Sequence, residues 1–463
     1  MVRHSPRPDS WRAVNPLEQI MLEPYTPSKP DIITVIFSLN SSVTTTFLHE
    51  TLLPRLLTHP RFSAHLVRSA GGTFRFEPDP NPDWSSHLIC EPSLSDQTSE
   101  DHHHLFNARL ADIISTPLDL TKPLWRTHLF SNWSISRGEC NACTLVLRVH
   151  HSLADGVGLV KYFLATVVDK DDHDNPARLL VPTRRSTGNP EVRSGYFTWI
   201  RDYFHDIARI FIRPFFKDPV CVLTRATMTE KNICALAAPE QVTVATLKLA
   251  AMQLNVTIND LMFAAFSGAV REYVTRFGED PSALKGLNVA MPFNLHVFNE
   301  FSMSDVSNQL LMVPVALPVH LREPTERLLA CSKSMKRLKR SYQPIFATVA
   351  MRQLAVLPAA LRRRMWHVVA SSASVLFSNV AGPTKKMLIG GVAVDEVYFF
   401  PPPDAHVGSD IGLFSYAGKV FIGAAGDANR LAEPQKLLDY LVEELLGFFE
   451  LGKSVARSAP IER

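Results

Sequence analysis

The stretch Arg148-Val149-His150-His151-Ser152-Leu153-Ala154-Asp155-Gly156 decides how this chain is read. It closes ACTLVLRVHH (142–151), a run of apolar and β-branched residues that predicts a strand. Side chains alternate along a strand, so His150 and His151 point to opposite faces and only one can enter a given cavity. Adjacent strand residues make poor joint ligands, which speaks against a metal site here. His151 ends the strand, where a side chain can reach into a cleft between layers. Asp155 follows a short turn, and Gly156 permits a tight backbone path into the helical pattern VGLVKYFLATVV. An imidazole with an ordinary pKa near ~6.5 suits general-base removal of a hydroxyl proton at neutral pH, worth roughly 10²–10⁴ in rate. An alcohol oxygen so activated can attack a thioester carbonyl, provided that N–H groups or hydroxyls stabilise the oxyanion. The same residues would also serve as two buried core histidines followed by an aspartate N-cap.

Working outward, PLWRTHLFSNW (123–133) reads as the hairpin partner of this strand, and ITVIFSLN (33–40) as another strand. A helix is expected over 44–59, and the proline-rich FEPDPNPDW (76–84) reads as loop. Residues 169–195 are charged and rich in proline and glycine, the composition of a linker. After them, YFTWIRDYFHDIARIFIRPFF (196–216) gathers Arg201, Asp202, His205, Asp206, Arg209 and Arg213 on one helical stripe, opposite an aromatic face. Such a helix suits a membrane interface or packing against its own domain. The second half repeats the mixed theme. Two helices are expected over 243–274, strands at 287–295, 308–319, 374–383, 392–400, 410–418 and 419–426, and a final helix over 434–452. The reading divides the chain into an N-terminal half (1–168), a linker with the aromatic helix (169–225) and a C-terminal half (226–463).

Composition narrows the class. The chain has 463 residues with 48 Lys and Arg against 45 Asp and Glu, a net charge of +3. That balance, with a pI near 8.5, is too mild for a dedicated nucleic-acid binder. The N-terminus carries prolines where a secretory signal needs an apolar stretch, and no window reaches the ~18–20 apolar residues of a membrane span. Six scattered cysteines fit a reducing, intracellular setting. In DGVGLVK, Lys161 stands where a dinucleotide fingerprint needs its third glycine, and neither a phosphate loop nor a GxSxG elbow occurs. Lys333, Lys336, Arg337, Lys339 and Arg340 read as the wet face of a helix or as a site for phosphate groups.

HHSLADG (150–156) resembles the HHxxxDG motif of the coenzyme A-dependent acyltransferase superfamily, and the chain resembles more narrowly the bifunctional wax ester synthase/diacylglycerol acyltransferase family. Pro123-Leu124-Trp125 is similar to that family's PLW element and Asn259-Asp260 to its ND element. Ser378-Asn379-Val380-Ala381-Gly382-Pro383 is similar to its SNVPGP segment, with alanine in place of the usual proline. The resemblance implies an α/β fold of mixed sheets and helices, built as two chloramphenicol-acetyltransferase-like halves with an active-site tunnel between them. It implies His151 as general base, His150 in support, and Asp155 holding local structure, often through an arginine. Gly156, Asn259, Asp260, Asn379 and Trp125 are then expected around the substrates. The implied activity is acyl-CoA-dependent esterification of a long-chain alcohol or diacylglycerol, giving wax esters or triacylglycerol. Acyl-CoA is a substrate in that reaction, and no metal or redox cofactor is implied. Together with the aromatic helix, this predicts peripheral attachment to a membrane or lipid-droplet surface, that of the endoplasmic reticulum or a droplet in a eukaryote. Two alternatives keep the fold: a condensation-type enzyme using a carrier-protein thioester, and a non-catalytic acyl-CoA or lipid binder.

Overall fold

Ile32–Leu39 is buried along nearly its whole length, the environment that β-branched residues fit best. It lies inside a six-stranded sheet, whose order is Leu388–Ile389, Val392–Phe400, Ile32–Leu39, Gly138–His150, Trp125–Ser134 and Leu88–Cys90. All pairs are antiparallel except the last. The second sheet also has six strands, in the order Asn232–Ala237, Lys419–Asp427, Ser409–Tyr416, Val375–Ala381, Asn288–Asn294 and Leu310–Ala316. Val375–Ala381 runs parallel to both of its neighbours. The computed structural model describes residues 10–22, 31–70, 72–92, 99–135, 138–169, 196–224, 229, 232–294, 306–402 and 407–458. Most of the expected linker, 170–195, lies outside the described residues.

Each sheet has its own apolar core, so the α/β architecture of two halves is observed. The N-terminal core packs under Gly156–Tyr162 and Ser99–Ser115; the C-terminal core packs under Ile258–Arg276 and Pro434–Ser458. Helix starts follow local chemistry. Thr243 and Thr246 form one capping box, and Thr257 and Asp260 form another, each satisfying orphan N–H groups at a helix N-terminus. The FEPDPNPDW segment is not all loop. Phe74–Pro78 pairs with Ala64–Arg68, its proline falling at the strand end where no ladder bond is needed.

Hydrophobic periodicity finds Val392–Phe400 as a strand, but not its destination. It leaves the C-terminal half and pairs with Ile32–Leu39, from Thr34 opposite Phe400 to Leu39 opposite Val394. The crossing brings it over Gly412 and Gly423, which face each other on neighbouring strands of the other sheet. A Cβ at Gly412 would stand 2.4 Å from the Phe399 carbonyl oxygen, and one at Gly423 would stand 3.0 Å from it. Glycine is needed here because a foreign backbone comes too close for any side chain. Replacing Gly412 with alanine should therefore push the exchanged strand off the sheet. The expected loss is roughly 1–3 kcal/mol, measured from the urea midpoint, with Gly447→Ala, where an added Cβ meets nothing, as the control for glycine substitution.

Candidate functional site

The register of the N-terminal sheet sets His150 opposite Ile32, at the last pair of the ladder. One residue on, the His151 N–H donates to the Asp31 carbonyl at 2.8 Å. The two rings part as strand alternation requires. His150 is fully buried, its Nδ1 2.8 Å from the Ser152 hydroxyl. His151 lines a cavity of about 410 Å³ between the halves, with Met21, Asp31, Leu310, Met312 and Leu376 among its neighbours. Burial pushes the His151 imidazole down to about 4, against a smaller opposing effect of the Asp155 charge. Burial also pushes His150 down to about 3, helped by the neighbouring His151. Both rings are neutral at pH 7, the state a base requires.

The surroundings of His151 come from both halves. Asn308 Nδ2 lies 2.8 Å from His151 Nδ1, Met21 Sδ lies 3.2 Å from it, and Asp31 Oδ1 is 3.9 Å away. No hydrogen bond reaches Nε2 among the described residues. Asp155 is the N-cap of Gly156–Tyr162, accepting from Gly158 N at 2.9 Å. Its other oxygen accepts from Gln309 N at 2.8 Å, so this carboxylate ties the motif loop to the opposite half.

The remaining expected residues scatter. Gly156 lines a second, narrower cavity of about 50 Å³, walled by apolar side chains such as Ile33, Phe163, Val380 and Phe399. The two cavities follow the same strands: Asp31, Leu376 and Pro402 line the first, and Ile33, Val380 and Phe399 the second. Asn379 donates to Asn259 Oδ1 at 2.5 Å. Asp260 belongs to the cap of its helix and accepts from the Ser332 hydroxyl at 3.2 Å. Trp125 sits in the core, its indole donating to the Phe62 carbonyl at 2.7 Å. Asn259, Asp260, Asn379, Trp125 and His150 are not among the residues lining either cavity.

Much of the first cavity's wall was not expected. Gln343–Ala355 and Ala359–Ala370 are helices that supply Met351, Leu354, Met365 and Trp366. Asn308, Met21 and Asp31 are also new. Nothing in a single sequence marks an asparagine at the start of a strand as a partner of a histidine 157 residues away. The aromatic segment 196–216 supplies Arg209, Ile210, Phe211, Pro214 and Phe215, and of its polar stripe Asp206, Arg209 and Arg213 are turned inward while Arg201 and His205 are exposed. Asp206 is buried and accepts from Tyr342 N and Gln343 Nε2, Arg209 donates to the Pro314 carbonyl, and Arg213 pairs with Asp218. Phe204 and Phe216 point out and are 63% and 61% exposed. Across the cavity wall, Ile345 and Val356 are 59% and 83% exposed.

The wax ester synthase/diacylglycerol acyltransferase catalytic-domain model matches residues 36–262, and the corresponding C-terminal-domain model matches 306–447. Wax ester synthase/diacylglycerol acyltransferase 11 of Arabidopsis thaliana is 24% identical, over 84% of this chain and 85% of its own. The O-acyltransferase WSD of Acinetobacter baylyi is 26% identical, over 72% and 74%. In fold, the chain is similar to the wax ester synthase/diacylglycerol acyltransferase of Marinobacter aquaeolei, with a TM-score of 0.65 at 19% identity over 96% of this chain and 100% of that one. It is also similar to a trichothecene 15-O-acetyltransferase of Fusarium sporotrichioides, with a TM-score of 0.57 at 14% identity over 94% of each chain.

Buried neutral histidines make stability depend on pH in a defined sense. Burial holds His128 and His151 at about 4 and His150 at about 3, all below the ordinary 6.5. The unfolded chain therefore binds more protons as pH falls below 6.5, and folding stability declines until the folded values are reached. Urea midpoints at pH 7.5, 5.5 and 4.5 should fall in that order. Removing one of these groups, as in His150→Gln, should reduce the slope by up to about 1.4 kcal/mol per pH unit. An unchanged slope would mean that His150 takes no part in it.

Proposed function

The chain belongs to the wax ester synthase/diacylglycerol acyltransferase family and is an O-acyltransferase, and we propose that it moves a long-chain acyl group from coenzyme A to a long-chain alcohol or a diacylglycerol, with His151 as general base. The observation that carries this reading is a neutral imidazole in the wall of a largely apolar cavity where the two halves meet. The alcohol's proton passes to His151 as its oxygen attacks the thioester carbonyl. The tetrahedral intermediate collapses by breaking the C–S bond, and the departing thiolate takes the proton back from the imidazolium. No enzyme nucleophile is needed. Asp155 holds the motif loop by its links to Gly158 and Gln309, and the bond between His150 and Ser152 supports the turn. Asn259 and Asn379 bond to each other outside both cavities and take no part in these steps.

The same reading places the chain peripherally on a lipid surface, membrane or droplet. The helices that wall the cavity turn Phe204, Phe216, Ile345 and Val356 outward; Lys217, next in the chain to Phe216, is exposed, as are Arg363 and Arg364 on the helix Ala359–Ala370. Apolar side chains flanked by cations match the boundary between acyl chains and anionic headgroups. Water-insoluble substrates would then reach the cavity without crossing water.

Purified protein given palmitoyl-CoA with hexadecanol or dioleoylglycerol should form ester, and His151→Ala should lower turnover at least ~100-fold with its fold intact by circular dichroism. Turnover unchanged in that variant, or no ester from the wild type with either acceptor, would overturn the reading. Introducing Phe204→Glu, Phe216→Glu and Val356→Glu together, none of them lining the cavity, should abolish binding to phosphatidylcholine/phosphatidylserine vesicles. Acylation of a short, soluble alcohol should stay within about twofold of wild type. Undiminished vesicle binding would remove these helices from the lipid contact.

A further inference from the structure

Asn308 precedes a strand of the C-terminal sheet, yet its buried side chain is directed to the N-terminal half. Two backbone partners fix which way its amide faces. Oδ1 accepts from Leu310 N at 3.1 Å, and Nδ2 donates to the His151 carbonyl at 3.0 Å. Turned over, the amide would set oxygen against the carbonyl and NH₂ against an N–H, so only one orientation satisfies both. The atom 2.8 Å from His151 Nδ1 is therefore a nitrogen with a second hydrogen to give. Met21 Sδ, 3.1 Å from the same nitrogen, shares that hydrogen weakly.

From this geometry we infer that Asn308 is a positioning residue that selects the tautomer of His151, making Nδ1 the acceptor and leaving the proton of the neutral ring on Nε2. The inference rests on the reading of His151 as the base and adds a step to it. A neutral imidazole takes a proton only at its bare nitrogen, and with the amide so placed that nitrogen is Nδ1, which Asn308 already occupies. For Nε2 to receive the alcohol's proton, the ring proton must stand on Nδ1 and the amide must turn its oxygen toward it. The turn breaks the bonds to Leu310 N and the His151 carbonyl. Leu310 and Met312 line the cavity, so whatever fills the cavity bears on the strand that holds the amide. Until the amide turns, His151 has no bare Nε2 with which to activate water against a bound thioester.

The charges facing this pair are few. Asp31 Oδ1 is 3.9 Å from Nδ1, and the Asp155 carboxylate acts on the ring from the motif loop. Glu18 accepts from Asn308 N at 3.0 Å and is itself paired with Arg61. His150, the adjacent ring, is neutral. The deciding measurement is the ¹⁵N spectrum of histidine-labelled, ligand-free full-length protein at pH 7, with His151 assigned by loss of its signals in His151→Gln. A bare nitrogen and a protonated one resonate far apart, so the spectrum reports the tautomer directly. The wild type should show Nδ1 bare and Nε2 protonated. Asn308→Asp, which keeps an acceptor for Leu310 N but has no hydrogen to give, should move the proton to Nδ1. It should also raise the acidic limb of kcat/KM by about one pH unit or more. A wild-type ring protonated on Nδ1 would overturn the inference, as would an Asn308→Asp spectrum identical to wild type. Full activity in His151→Ala would instead overturn the base reading and leave the tautomer assignment standing.

Discussion

The ion pair between Arg61 and Glu18 has both charges almost wholly out of water, with side chains 5% and 0% exposed. Desolvation on that scale is tolerated only where geometry is close and every remaining donor and acceptor is used. Here the contact is 2.8 Å, and the guanidinium also donates to the carbonyls of Trp11, Ala13, Ser152 and Leu153. The carboxylate in turn accepts from Asn15 N and Asn308 N. One pair therefore gathers the N-terminal segment, the loop after His151 and the start of a strand from the opposite half. The imidazole is held by Asn308, Asn308 is held by Glu18, and Glu18 is held by Arg61. The site is assembled across the interface, and its precision depends on a charge pair that touches no cavity.

Much of the fold was legible because local chemistry and final structure agree. The apolar runs at 33–40, 123–133 and 142–151 fall largely in the strands Ile32–Leu39, Trp125–Ser134 and Gly138–His150, and Thr243 and Thr257 open helices with side-chain caps that any chain would form there. The site was legible where it depends on one short segment: strand alternation separates His150 from His151, and Asp155 caps a helix while also holding the opposite half. What was not legible depends on distant pairing. Asn308 meets His151 through tertiary packing alone. Trp125 belongs to a conspicuous tripeptide, yet it fills the core beside Phe62, showing that a motif residue can mark architecture as readily as contact with substrate. The helices at 343–355 and 359–370 carry weak amphipathic patterns, because one face meets the cavity and another is exposed while apolar.

The 196–216 segment inverts the ordinary rule for a surface helix. Asp206, Arg209 and Arg213 are turned inward, held by Tyr342, Pro314 and Asp218, while Phe204 and Phe216 face outward. These polar contacts and the packing of Tyr203 and Phe211 on Phe346 hold the segment, so Phe204 and Phe216 are free to serve elsewhere. Part of the segment winds as a π-helix, Ala208–Ile212, where Arg209, Ile210 and Phe211 meet the cavity. The second cavity has the same device in Phe163–Val167. Each extra backbone residue widens the helix locally and turns side chains off the regular face.

The exchange of Val392–Phe400 into the first sheet has a consequence for how the chain is born. A ribosome delivers Ile32–Leu39 early, yet its second neighbour emerges only when residue 400 leaves the exit tunnel. Throughout that interval the strand offers an unpaired, apolar edge of the kind that recruits other chains. The half that carries His151 cannot mature ahead of the half that follows it. The two are therefore one cooperative unit in biogenesis, and the nascent polypeptide is most in need of a chaperone while its catalytic motif has been made but its sheet is still open.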